Sequence, residues 1–258
     1  MNVIVCYKLT PDAGDIETRP DGSISVERAE WTIGSFDLQA IEAGVRLAEA
    51  TSGKVTALSA GPAKIINSKL KKDLLSRGPD ELYLVADESL READTAMTAS
   101  VLAQAVRKIG GADLILCGEG SADLYFQQVG IQLGEKLGLP CLNAVSKIEP
   151  EEGMLVVERS LEDEIEVLEV PLPAVLMVTT DINQPRLPSM KEILKASKKP
   201  VTEWALADLD MDGELKSQVE VISTRAPRQV QRKNVIIDGS PAESAQTLLE
   251  NLSKEGIL

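Results

Sequence analysis

The chain contains no histidine in its 258 residues, and that absence removes whole classes of chemistry. A Ser/His/Asp relay, a Cys/His nucleophile pair and a His-ligated zinc each need an imidazole. Aromatic residues make up only 3%, so Leu, Ile, Val and Ala must build the core. Cysteines are few: Cys6, Cys117 and Cys141. Odd in number and far apart, they fit free thiols in a reducing cytoplasm better than a disulfide frame. No run approaches the roughly 18 consecutive apolar residues of a membrane helix. The N-terminal MNVIVCYK has no charged region ahead of its apolar stretch, so it does not read as a signal peptide. Basic side chains are in deficit, 27 against 41 acidic, for a formal net charge of −14. Such a surface argues against a nucleic-acid binder, which must neutralise phosphates. Two nucleotide fingerprints are also missing: no GxGxxG opens a first helix, and no GxxxxGK[ST] occurs.

What is present is a regular alternation. Apolar runs of strand length occupy 3–7, 55–60, 82–86, 113–117 and 142–145. Between them, apolar residues recur at helical spacing: Leu38, Ile41, Val45 and Ala48; Ile66, Leu70 and Leu74; Met97, Val101, Ala105 and Ile109; Val129, Leu133 and Leu137. Ser35 or Asp37 is suited to cap the first of these helices. Strands alternating with helices predict a doubly wound α/β domain around a parallel sheet. Several strands are apolar throughout, as when helices cover both faces. The pattern then changes. Residues 154–159 and 165–170 read as an antiparallel hairpin, and 174–179 as another buried strand. A basic helix is predicted over 191–199, strands at 219–222 and 235–237, and a last helix over 241–252. After Pro200 the chain is too thinly apolar for a core of its own, so it reads as an arm packed on the main domain or a partner.

In open parallel sheets ligands bind beyond the carboxyl ends of the strands, where the strand order reverses. Three segments are expected there: Cys6-Tyr7-Lys8, Ala60-Gly61-Pro62-Ala63, and Gly118-Glu119-Gly120-Ser121-Ala122-Asp123 through Gln127-Gln128-Val129-Gly130. Glycines let backbone amides approach a phosphate, and the following helix start favours an anion. Gln127 and Gln128 carry amides suited to ribose or base contacts. The plainer alternative is that Gly120 only makes the strand-to-helix turn and that Lys8 is solvated. Glu162, Asp163 and Glu164 read as a solvated turn rather than metal ligands. Lys191, Lys195, Lys198 and Lys199 form either a solvated helix face or a docking surface for an acidic partner. The cysteines read as small core residues at strand ends.

Several of these stretches together resemble one family. Val157-Glu158-Arg159, the acidic 162–164 run, Glu166-Val167 and Pro173-Ala174-Val175-Leu176 look like the signature of electron transfer flavoprotein beta subunits. So do Asn183-Gln184-Pro185-Arg186, Ile193-Leu194-Lys195-Ala196, Cys6-Tyr7-Lys8, the run Phe36-Asp37-Leu38-Gln39 and Ala60-Gly61-Pro62. The stretch from Asp123 to Gly130 agrees as well. The likeness covers nearly the whole chain and is greatest to a branch with bacterial nitrogen-fixation-associated and carnitine-pathway subunits.

The resemblance implies an electron carrier rather than an enzyme. It implies a Rossmann-like sheet of the adenine-nucleotide alpha hydrolase-like type, with a β-hairpin addition and an extended C-terminal arm. It implies AMP or FAD bound in this chain, and a partner alpha subunit holding the redox FAD. The heterodimer would take electrons from a flavin dehydrogenase and pass them to a further acceptor. Cofactor contacts are thereby expected at Cys6, Tyr7, Lys8, Ala60, Gly61, Gly118, Gly120, Asp123, Gln127, Gln128 and Val129. Dehydrogenase docking is expected at Leu187, Met190, Lys191 and Lys195, with Met190 as the inserted apolar anchor. The chain reads as a nucleotide-binding domain over 1–185, a recognition loop and basic helix over 186–199, and an arm over 200–258 that packs on the alpha subunit. The alternatives are a stand-alone adenine-nucleotide-binding regulator of the stress-protein type and an adenylating or nucleotide-hydrolysing enzyme.

Overall fold

The computed structural model describes residues 1–211, 216–227 and 232–258. In chain order the strands are β1 (Val3–Cys6), β2 (Leu9–Pro11), β3 (Glu17–Thr18), β4 (Ile24–Ser25), β5 (Trp31–Ile33), β6 (Val55–Gly61), β7 (Glu81–Ala86) and β8 (Leu114–Gly118). They continue as β9 (Cys141–Glu151), β10 (Met154–Ser160), β11 (Ile165–Pro171), β12 (Ala174–Val178) and β13 (Val201–Trp204). The α-helices are α1 (Ser35–Thr51), α2 (Ser68–Ser76), α3 (Thr95–Ile109), α4 (Val129–Leu137), α5 (Met190–Ala196) and α6 (Pro241–Lys254). Two compact units result: Met1–Glu17 with Ser25–Thr224, and Thr18–Ile24 with Arg225–Leu258.

The first unit is built on a sheet that has nine strands among the described residues, in the order β11-β10-β9-β12-β8-β1-β6-β7-β13. From β9 to β13 all neighbours run parallel, and β10 and β11 add antiparallel at the β9 edge. Alternation along β1 assigns its two faces to two separate cores. Val3 and Val5 pack with Ile41, Val45 and Leu74 of α1 and α2. Ile4 and Cys6 pack with Val101, Leu102 and Leu133 of α3 and α4. A parallel strand covered on both faces can be apolar at every position, and β1 and β12 are buried throughout. The doubly wound α/β sheet and the β10–β11 hairpin are as the sequence pattern predicts.

Three elements differ from that pattern. β9 runs on to Glu151 and forms a second hairpin with β10, turning at Gly153 with φ +78°. A short strand predicted at 142–145 becomes a long one because its outer half pairs with β10 rather than entering the core. The segments 219–222 and 235–237 are not strands. Ile222 is 93% exposed; β-branched residues form a strand only where a ladder receives them. The arm expected from residue 200 begins inside the main sheet, since Val201–Trp204 pairs parallel with β7. The division between the units falls after Thr224, and residues 212–215 and 228–231 of the expected arm lie outside the described residues.

The second unit is small. Ser23 and Arg225 form an antiparallel bridge, and the Ala226 N–H donates to the Gly22 carbonyl at 2.9 Å. Its helix α6 starts with a reciprocal capping box between Ser240 and Glu243, and no residue of the helix is buried. Leu248 and Leu249 are half-exposed.

Candidate functional site

After β1 the chain builds β6 and β7 on one side, then crosses to place β8 on the other side of β1. The order therefore reverses between β1 and β8, and their carboxyl ends open the crevice where such folds take ligands. Of the three expected loops, those after β1 and β8 meet here.

Asp37, in the first turn of α1, ties the two strand ends together. Its Oδ2 accepts the Lys8 backbone N–H at 2.8 Å, and the Gly118 backbone N–H also donates to the carboxylate. A Cβ on Gly118 would stand 2.8 Å from Asp37 Oδ1 and 2.7 Å from Phe36 Cβ, so only glycine admits this approach. Burial pushes the Asp37 carboxyl up to about 7, against the lowering effect of the two N–H donors and Lys8. Asp37 does not cap its own helix: the N-cap is Gly34, without a side-chain hydrogen bond.

The Lys8 side chain reaches into the loop after β8. Its Nζ donates to both carboxylate oxygens of Asp123, at 2.9 and 2.8 Å. Burial alone would raise the Asp123 carboxyl, but Lys8 and the Ser121 hydroxyl outweigh it and hold it below the usual carboxylate value. The loop then turns through left-handed backbone at Tyr125 (φ +50°) and Gln127 (φ +57°). Such backbone costs a non-glycine residue roughly 1–2 kcal/mol, and packing holds it. The Tyr125 ring lies 5.1 Å from that of Phe36, and its Oη donates to Glu119 Oε1 at 2.8 Å. A Cβ on Gly120 would come within 2.5 Å of the Tyr125 ring, so Gly120 makes room for the aromatic as well as for the turn. Gln127 and Gln128 are both exposed; Gln127 Nε2 donates to Tyr125 Oη at 3.4 Å, and Gln128 Oε1 accepts from the Thr95 hydroxyl at 2.9 Å. Helix α4 begins at Val129 with no side-chain cap, which leaves its leading amides to face the crevice loop.

The remaining expected contacts sit differently. Tyr7 is only 7% exposed and its ring belongs to the core, so its backbone alone borders the crevice. Its phenol is pushed up by burial and by Asp37. Cys6 is buried beside Cys117, where the Cys6 thiol, burial and nearby charge raise the Cys117 thiol, and burial lifts Cys141 to about 11. All three cysteines are free, and Cys117 and Cys141 are held as thiols rather than nucleophilic thiolates. Ala60 and Gly61 end β6, next to β1; Gly61 accepts from the Asp87 N–H at 3.0 Å. Val129 is half-buried against the core. Asp37, Phe36 and Tyr125 are the residues the crevice adds to the expected contacts; Phe36 and Asp37 carried only the family resemblance and, for Asp37, a suggested capping role.

The loop after β12 forms a separate feature. Arg186 bridges two acids of α1: its Nε donates to Glu42 at 2.7 Å, and its terminal nitrogens donate to Glu49 at 2.8 and 3.1 Å. Arg46 adds a 2.6 Å contact to Glu42. Beyond this anchor Leu187, Met190 and Leu194 are 90%, 74% and 66% exposed. Lys191 and Lys195 are exposed beside them. Lys199 does not join that surface. Its Nζ donates to the Leu75, Gly78 and Pro79 carbonyls at 2.9, 3.1 and 2.6 Å, capping the end of α2. Helix α5 accordingly stops at Ala196, short of the predicted 199.

Among the described residues no helix is long and apolar enough to cross a membrane, and no group of three Cys, Asp or Glu side chains is placed to hold a metal ion. The family model described as "Electron transfer flavoprotein domain" matches residues 22–209, well over half of the chain.

Proposed function

The chain belongs to the electron transfer flavoprotein domain family, and from that premise we propose that it is the beta subunit of a heterodimeric electron transfer flavoprotein. In this reading it holds AMP or FAD in the crevice between β1 and β8. An alpha subunit holds the redox FAD, and the pair carries electrons from a flavin dehydrogenase to a further acceptor in the cytoplasm. The observation that carries the reading is the donor set converging at the strand-order reversal. Lys8 Nζ, held by Asp123 of the loop after β8, the exposed Gln127 amide of the same loop and the uncapped start of α4 supply a cation and N–H donors along this loop. That chemistry suits an anionic nucleotide. A bound flavin supplies the electron chemistry, and the protein supplies position and field, so a chain without histidine serves.

Two further observations support a subunit rather than a stand-alone regulator. Helix α6 has an apolar side but buries no residue, which fits burial against an alpha subunit. Leu187, Met190 and Leu194 form an exposed apolar group beside Lys191 and Lys195, which fits transient docking to a dehydrogenase.

The test is coexpression with a candidate alpha subunit, followed by identification of the ligands released by mild acid. AMP with one FAD, or two FAD, per heterodimer is expected. A colourless, well-folded monomer that ignores the alpha subunit and holds no adenine nucleotide overturns the reading.

A further inference from the structure

Lys8 is the cationic side chain at the crevice, and both oxygens of Asp123 already engage it. An ammonium has three N–H donors, so two of the three point at an internal carboxylate. A second carboxylate lies close by: Asp37 is bonded to the backbone of the same Lys8 and senses the charge of Asp123. A phosphate approaching Lys8 therefore meets the ionised Asp123 within the range where Coulomb repulsion acts, and Asp37, raised to about 7 by burial, adds only part of a second charge. The pair is also open to exchange. Lys8 and Asp123 side chains are 45% and 26% exposed, and pairs this exposed are worth little on their own. Asp123 rides on the loop whose next residues, Leu124, Tyr125 and Phe126, are all exposed, and whose backbone turns left-handed at Tyr125 and Gln127.

We propose that Asp123 acts as a built-in competitor for the ligand's phosphate, occupying Lys8 until an adenine nucleotide displaces it. Asp123 is then a specificity-determining residue: it lowers the advantage of a phosphorylated ligand over a neutral nucleoside and ties ligand entry to movement of the 119–128 loop. This rests on the reading of the crevice as an adenine-nucleotide site, and it reverses the expectation that Asp123 contacts the nucleotide directly. No bond is made or broken in the exchange; one ion pair replaces another.

The experiment compares AMP with adenosine by titration calorimetry on the full chain, cleared of copurified ligand, as wild type, Asp123→Asn, Lys8→Met and Lys8→Arg. Asp123→Asn is expected to tighten AMP roughly two- to fivefold, the size of one exposed ion pair, and to leave adenosine unchanged. Lys8→Met should bring AMP down to the adenosine level, and Lys8→Arg should keep the preference. Raising the ionic strength should shrink the gain in Asp123→Asn, since exposed charges are screened. AMP binding that is unchanged or weaker in Asp123→Asn, with wild type binding normally, overturns the proposal and leaves the nucleotide reading standing. If neither wild type nor Asp123→Asn binds AMP or adenosine, the nucleotide reading falls and the proposal falls with it. Thermal unfolding of each variant confirms that the fold is intact.

Discussion

Glu42 Oε2 accepts two hydrogen bonds from one residue: the backbone N–H of Arg186 at 3.1 Å and its Nε at 2.7 Å. A carboxylate only 3% exposed thus anchors both the backbone and the side chain of the loop that presents Leu187 and Met190. Asn183 strengthens the anchor by donating to the Gln39 carbonyl at 3.2 Å. The exposed apolar group is consequently held on a fixed stem.

Arg186→Ala should cost about 2–4 kcal/mol, because it leaves a buried carboxylate with Arg46 as its remaining cation. Hydrogen exchange should rise over 187–196 and stay unchanged over β1 and β8. Uniform exchange across both regions would refute a local anchor. Arg186→Lys keeps the charge but not the fork that engages Glu42 and Glu49, and should fall between wild type and alanine.

Asp37 gives the fold a definite pH dependence. Its folded value of about 7 lies above the value of an unfolded aspartate, near 3.9. Between those two values the folded state holds more protons, so this group's contribution falls as pH rises. It is fully present below about pH 4 and has been lost above about pH 7. Asp37→Asn should flatten that slope in urea denaturation measured across the window. It also turns one hydrogen-bond acceptor into a donor facing an N–H, so the slope rather than the absolute stability is the readout. An unaltered slope would place the titration elsewhere.

Gly118→Ala should destabilise by about 1–3 kcal/mol through overpacking. The added methyl would stand 2.9 Å from the Phe36 carbonyl carbon, which no rotamer change relieves. Adenine-nucleotide affinity should drop in the same variant, since the strand end carries the crevice. Wild-type stability by chemical denaturation would contradict this packing.

Met190→Asp changes a side chain that is 74% exposed. Folding stability should stay within about 0.5 kcal/mol of wild type. Given the proposed docking role, electron transfer from the dehydrogenase should slow at limiting partner concentration, with KM raised and the maximal rate retained. A wild-type rate at low partner concentration would remove Met190 as the anchor.

Much of the fold is legible in the sequence because its signals are local. The spacings of Leu38, Ile41 and Val45, or Val129, Leu133 and Leu137, report helices one turn at a time. Unbroken apolar runs such as 3–7 report strands covered on both faces. The loops after β1 and β8 follow from topology alone. β13 escaped because four residues of a polar segment become a strand only by pairing with the open edge of β7. Tyr7, expected at the ligand, has its ring in the core, because the residue after a strand keeps the alternation that buries its neighbours.

The doubly wound architecture, the lack of imidazole chemistry and the loops after β1 and β8 are legible in the linear chain. Periods of 2 and 3.6 and the absence of a residue type are complete in the linear chain. What the charged side chains do there emerges only in the folded chain. Lys8 finds Asp37 29 residues away and Asp123 115 away, and Arg186 finds Glu42 across 144. Lys199, read as part of a basic patch, instead donates to carbonyls 120 to 124 residues earlier. Such pairings depend on which strand ends the winding brings together, and a short-range pattern carries no record of that.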